Sequence, residues 1–458
     1  MKRSGLTLLP TAARAGFCVF GCFAVLLSPA RADDTRYQDY PVGSRAMALG
    51  GAFTALSDDP SGLTYNPAGL VDTHKMNVNV SSSLYGLERQ GRGGAKLVDK
   101  GTFSLATLAT LNVIPGEAGT VKGFGSETDD GATYALGVDV TVPSFRDYGT
   151  DATAPTVLHT RVFDRTFDAA AGGAVRLDQN WSVGFALHFN LRLFADTEDA
   201  LVSDGGADPR VGVYHAEATF TNAALSVTGG AKLRLNGWLY GASLSTPGVR
   251  VYSSGSVQVQ DVRTDPTAPP PHTTVTLLDT TNVESATGIP FVLRLGAARV
   301  EPHHWTASAQ LTLDLPTAYD RFVLATNVAD RLQLQTHVTR HAVLNANLGG
   351  EYLVNSTLAV ALGAFTDFST APDLQANRDG SLASSSSHLE HVSLYGGTAS
   401  LGFIGQHSIT RLGLSMSYGR GEEAVPNDPT GVSDPNGYTL SAVSQLMLYV
   451  FLAGTFRY

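Results

Sequence analysis

Period-two alternation of apolar and polar residues runs through most of the chain. From Trp181 to Phe194 the odd positions Trp181, Val183, Phe185, Leu187, Phe189, Leu191 and Leu193 are apolar, while the even positions Ser182, Gly184, Ala186, His188, Asn190 and Arg192 are small or polar. The same alternation recurs at 305–315 and 134–142. Successive side chains on a strand point to opposite faces, so each run predicts a strand with one apolar and one polar face. A soluble sandwich would show this period too, and the connections discriminate better. Strands are predicted at 76–86, 101–111, 132–142, 166–177, 181–194, 223–235, 238–246, 290–300, 304–315, 342–353, 357–368, 390–403, 408–418 and 443–458. From the fourth strand to the thirteenth, tight joints such as Asn236-Gly237 and Glu301-Pro302-His303 alternate with long ones at 195–222, 247–289, 316–341 and 369–389. An even number of antiparallel strands, with short turns at one rim and long loops at the other, is the arrangement of outer-membrane barrels. The predicted fold is therefore an all-β, 14-stranded antiparallel transmembrane β-barrel. The last strand supports it: Leu446, Leu448, Val450, Leu452, Phe456 and Tyr458 share one face. One connection, Asn112 to Gly131, is too long for a short-turn rim.

Only one apolar run approaches the length of a membrane helix, Ala15 to Leu27, preceded by Lys2, Arg3 and Arg14 and followed by Ala30-Arg31-Ala32. It reads as a secretory leader over residues 1–32, with a lipoprotein cut at Cys22 as the poorer alternative. Cys18 and Cys22 are the only cysteines of the 458 residues, so the exported chain would have no disulfide. Lys and Arg total 31 against 41 Asp and Glu, which leaves no basic surplus for nucleic acid. A charged fraction of 16% and an aromatic fraction of 9% exclude a disordered chain.

Residues 33–75 precede the first strand and are not strand-like. Ala46 to Leu56 suits a short helix packed closely at Gly50 and Gly51; Asp58-Asp59-Pro60 starts a second element and Asn66-Pro67 stops it. Small helices ahead of a wide barrel wall, 76–458, fit inside its bore as a hatch. The segment GSRAMALGGAFTALSDDPSGLTYNPAGL closely resembles the N-terminal hatch of the FadL-type long-chain fatty-acid and hydrocarbon transporters, through Gly50, Gly51 and Phe53, the paired Asp58 and Asp59, and the triplet Asn66, Pro67, Ala68. Blocks beginning at Asn236, Thr287 and Leu348 resemble wall strands of the same family, so the likeness spans most of the exported chain. It implies transport of a hydrophobic small molecule, a long-chain fatty acid or aromatic hydrocarbon, by passive diffusion across the bacterial outer membrane. The ligand would be captured among the outer loops and leave sideways into outer-membrane lipid through a gap in the wall, for which 112–131 is the candidate. The aromatic terminus, Tyr458, resembles the signal read by the barrel-assembly machinery, and the protein is expected to be a monomer. Related hatches also occur in outer-membrane proteins of secretion systems, so a scaffold or accessory barrel for protein export is the alternative.

The inward-facing His188, Arg192 and Arg294 could meet a carboxylate, or could pair with lumen carboxylates such as Asp314 or Glu351. His388-Leu-Glu-His391 has a metal-compatible spacing but lies in a Ser-rich loop, and Pro269-Pro-Pro271 only stiffens the longest loop. No metal, cofactor or enzymatic activity is expected: neither Gly-x-Ser-x-Gly nor His-Glu-x-x-His occurs, although a Ser/His pair on neighbouring strands remains open. A general porin would need no apolar hatch.

Overall fold

The structure, a computed structural model, describes residues 36, 41–73, 77–92, 95–96, 100–102, 107–113, 134–152, 156–203, 211–265, 272–323, 337–378, 390–426 and 438–457, for 77–162 as backbone alone. The leader, Tyr458 and residues 114–133, which make up most of the misfit connection, lie outside them.

Fourteen strands form the wall: β1 Asn77–Arg92, β2 Thr107–Val113, β3 Tyr134–Ala152, β4 Thr156–Arg176, β5 Trp181–Ser203, β6 Val211–Leu235, β7 Trp238–Ser245, β8 Val292–Glu301, β9 Trp305–Asp314, β10 Val343–Leu353, β11 Leu358–Asp367, β12 His391–Ile404, β13 Ser408–Pro426 and β14 Tyr438–Arg457. Each pairs antiparallel with its neighbours in chain order, and β1 also pairs with β14, Val80 opposite Gly454, so the ladder returns to its start. The β2/β3 seam is the thinnest, with Thr110 opposite Thr141 and Val113 opposite Val138. Both of its strands are irregular. The second is laid in three pieces, Ala95–Lys96, Lys100–Thr102 and β2, all against β1, where one strand at 101–111 is predicted. The register of β3 slips between Thr141 and Ser144, around Pro143, which has no N–H to give to a ladder.

Burial settles which face is which. Trp181, Phe185, Leu187 and Phe189 are exposed while Ser182, Ala186, His188 and Arg192 are buried, and on β9 Leu311 is exposed while Thr306, Ser308, Gln310 and Asp314 are buried. A water-soluble sheet has the opposite order, so this wall faces hydrocarbon and encloses a polar bore. Trp181, Trp238, Tyr240, Trp305, Tyr352 and Phe403 are all exposed beside the short turns, as an interfacial aromatic girdle requires. The turns have local causes. Asn236 (φ 51) and Gly237 (φ 79) suit a two-residue hairpin loop, and Asp178 Oδ1 accepts from the backbone N–H groups of Asn180 and Trp181, both at 2.7 Å.

At the other rim the strands run longer than predicted. Crossing a bilayer takes about 9–11 residues, so β5 and β6 project far beyond it. The connection at 247–289 contains a further antiparallel ribbon, Val249–Asp265 with His272–Thr281, whose first strand continues the pairing on β6. Short amphipathic outer segments give weak periodicity, which hid them among turn residues.

Inside the bore, α1 Ser44–Ala48, α2 Gly62–Tyr65 and a 3-10 turn at Pro67–Asp72 form the hatch. The first helix is shorter than the predicted 46–56 because Gly50 (φ 62) and Gly51 (φ 85) turn the chain out of it.

Candidate functional site

The hatch sits at the short-turn end of the bore and is seated by its own backbone. Asn66 is fully buried; its Oδ1 accepts from Ala68 N at 3.1 Å, capping the 3-10 turn, and its Nδ2 donates to Thr54 O and to Ala231 O on β6, both at 3.0 Å. Pro67 fills the first position of that turn, where no N–H is needed. Phe53 packs edge-on against Tyr65 at 5.6 Å, and Gln310 Oε1 on β9 accepts from Phe53 N (3.1 Å), Thr54 N (2.9 Å) and Thr54 Oγ1 (2.7 Å). Asn347, Ser182 and Thr398 donate to Gly50 O, Ala68 O and Ala48 O from three further strands. The wall makes room with glycine: a Cβ at Gly241 would lie 2.2 Å from Thr54 O, and one at Gly363 2.3 Å from Gly50 N.

Ion pairs complete the seat. Arg45 bridges Asp58 and Glu351, and Glu351 also accepts from Arg411 on β13. Asp72 meets Arg176 (2.9 Å), the buried Lys232 (2.8 Å) and Arg234. Burial opposes ionisation of Asp58, but Arg45 and Lys232 outweigh it and hold its carboxyl below the ordinary value; Asp72 is held down likewise by Lys232 and Arg234. Asp59 accepts from Ser61 N at 2.9 Å and from Ser61 Oγ at 2.5 Å.

Above the hatch, toward the long-loop rim, lies a cavity of about 280 Å³. Tyr65, Thr64 and Gly51 line it from the hatch; the connection ahead of β8 adds Thr287, Gly288, Ile289 and Pro290, and Arg36, Val292, Phe365 and Phe368 border it as well. The sequence-selected His188, Arg192 and Arg294 all line this chamber. Two of them are already engaged. Arg192 grips Asp164 through Nε (2.9 Å) and Nη2 (2.6 Å), with its guanidinium 5.5 Å from the Phe220 ring centroid, and His188 Nδ1 faces Asp168 Oδ2 at 2.9 Å. Arg294 makes a 3.3 Å hydrogen bond to Ser245 Oγ and, among the described residues, no ion pair. For Arg192 and His188 the partners are Asp164 and Asp168, inward-facing on the neighbouring strand β4, whereas the carboxylate whose charge acts on Arg294 is Asp314, as expected. Asp164 and Asp168 were legible as inward positions of an alternating strand, but nothing in one sequence fixes which strands are neighbours in register. Ser226 stands opposite His188 on β6, and no hydrogen bond between them is present. His391 Nδ1 lies 2.8 Å from Ala371 O, while His388 is outside the described residues.

Beyond Arg192 an apolar cluster closes the outer side: Phe194 stacks on Phe220 at 4.8 Å, and Phe322 meets both edge-on.

No protein-family model matches the chain, and no curated protein matches it significantly. Among solved structures it is similar to a FadL homologue of Pseudomonas aeruginosa (11% identity, 92% of this chain and 99% of that one, TM-score 0.56). It is also similar to the toluene transporter TodX of Pseudomonas putida (12%, 93% and 100%, TM-score 0.56) and to the toluene transporter TbuX of Ralstonia pickettii (12%, 91% and 98%, TM-score 0.52). At such identities the likeness shows a shared fold, and it extends over nearly the whole of each chain.

Proposed function

From the premise that the chain has the plugged-barrel fold of the FadL-type transporters, we propose that it resides in the bacterial outer membrane and passes poorly water-soluble organic compounds inward without acting on them chemically. The observation that carries this reading is the chamber of about 280 Å³, resting on a hatch stitched to the wall of a lipid-facing barrel. A protein-export scaffold has no use for such a chamber. Small-molecule sites are concave and partly apolar with a few placed polar groups, and Ile289, Pro290, Val292, Phe365 and Phe368 supply the apolar part. Arg294, which lines the chamber beside Asp314 and donates to Ser245 Oγ, serves as the anchor for the polar end of a ligand.

Passage is passive diffusion down a gradient. The hatch blocks the direct route to the short-turn rim, and the thin β2/β3 seam is the place for lateral exit into lipid. Uptake of radiolabelled palmitate, toluene and benzoate by cells with and without the gene tests the reading. Expression should raise uptake of at least one of them severalfold; equal uptake of all three overturns transport.

A further inference from the structure

The lipid side of the wall carries charge at one place on the short-turn rim. Among the described residues, Arg299 and Glu301 on β8 are the charged side chains at the two outward-facing positions nearest that rim on any strand from β4 to β14. Alternation sets their direction: Leu295 is exposed on the same face, while Val292 and Ala298 are buried on the other. A charge facing hydrocarbon is costly and is tolerated where the headgroups begin. Arg299 stands opposite Trp238 on β7, and its guanidinium lies 5.8 Å from that ring centroid. Trp238 stacks in turn on Tyr240, centroids 6.5 Å apart. This stack holds the guanidinium at the level of the aromatic girdle and leaves its N–H edge without a carboxylate or other acceptor among the described residues. On the other side the row is open: Ala307 on β9 lies opposite Arg299, Gly350 on β10 lies opposite Ala307, and a Cβ at Gly350 would meet nothing nearer than 3.9 Å. One row closer to water, Glu301 is exposed opposite Trp305. Arg299 and Glu301 sit roughly 7 Å apart along one strand and make no ion pair with each other.

The geometry points to a binding site for one phospholipid, phosphatidylethanolamine, on the outward face of β8 and β9. The phosphodiester takes two charge-assisted N–H···O bonds from the Arg299 guanidinium, whose planar fork matches it. The ammonium, two methylene groups beyond the phosphate, donates to the Glu301 carboxylate. The acyl chains run over the open row at Ala307 and Gly350 toward the exposed Leu295 and Leu311. From water inward, β8 presents an acid, then a base, then apolar residues, which is the order of ammonium, phosphate and acyl chain in that lipid. Phosphatidylglycerol would bring no cation to Glu301. Phosphatidylcholine would bring one that has no N–H to donate. The inference needs only a wall that spans the membrane, and it stands whatever the chamber carries.

The test is native mass spectrometry of the purified full chain in detergent, given equal amounts of palmitoyl-oleoyl phosphatidylethanolamine, phosphatidylglycerol and phosphatidylcholine. The wild-type protein should retain the ethanolamine lipid about fivefold or more over the other two. Arg299→Leu should remove that excess and lower retention of phosphatidylglycerol as well, since both lipids lose their phosphate contact. Glu301→Gln should lower the ethanolamine lipid to the level of phosphatidylglycerol and leave phosphatidylglycerol as it was. Arg299→Lys, which keeps the charge but not the fork, should retain part of the excess, and it serves if Arg299→Leu does not fold. Equal retention of the three lipids by the wild type overturns the proposal, as does an ethanolamine excess unchanged in Arg299→Leu. A preference for phosphatidylglycerol also overturns it, by showing a site for negative charge alone.

Discussion

Lys232 is a fully buried cation inside a membrane protein; it pairs with Asp72, which it shares with Arg176 and Arg234, and its charge also acts on Asp58. Removing the carboxylate would leave three cations facing each other around a desolvated pocket. Breaking a buried pair from one side costs about 3–5 kcal/mol, so Asp72→Ala should loosen the hatch, seen as faster hydrogen exchange at 44–72 with the barrel ladder unaffected. Acid should reach the same state by protonation. Asp58 and Asp72 are depressed below their ordinary value of 3.8, so their contribution is complete above that pH and is lost as pH falls through their folded values. Exchange at the hatch should stay flat from pH 7 to about pH 4 and rise only below it. A rise near neutral pH would show that other groups hold the hatch. Gly241 and Gly363 belong to the same scale: neither needs an unusual backbone angle, and both are required to be small because hatch backbone passes within reach of any Cβ.

Among elements, the proposed lateral route at the seam between β2 and β3 and a direct route past the junction between hatch and β9 are separated by cross-linking. Among the described residues two pairs join β2 to β3, whereas Gln310 alone takes three hydrogen bonds from Phe53 and Thr54. On the proposed lateral route, a disulfide made by Thr54→Cys with Gln310→Cys should leave uptake unchanged, because that route does not require the hatch to move. One made by Thr110→Cys with Thr141→Cys should abolish uptake until reductant is added. The reverse pattern would place the route through the hatch. The elements also differ in how far sequence disclosed them. Strands with lipid on one side and a polar bore on the other alternate cleanly, and all fourteen fall near their predicted places. The outer ribbon and the segmented second strand carry no such contrast, since both of their faces meet water or loops, and the periodicity fades there.

For the molecule as a whole, a fourteen-strand wall is wide enough to conduct solutes unless something fills it, being intermediate between the packed 8-strand and channel-forming 16-strand cases. Deleting 44–72 should therefore convert a silent protein into a conducting pore in planar bilayers, with the barrel still folded because its ladder closes without the hatch. A silent deletion variant would mean that the outer cluster of Phe194, Phe220 and Phe322 seals the bore by itself. Sequence alone determined the strand order and the apolar outward face, because period and turn chemistry are local constraints on each residue. Tertiary structure alone decided that Asp164 and Asp168 occupy Arg192 and His188, and that Arg294 lies beside Asp314 with a hydrogen bond to Ser245. Those facts depend on the register between strands far apart in the chain, which no pattern within a single strand encodes.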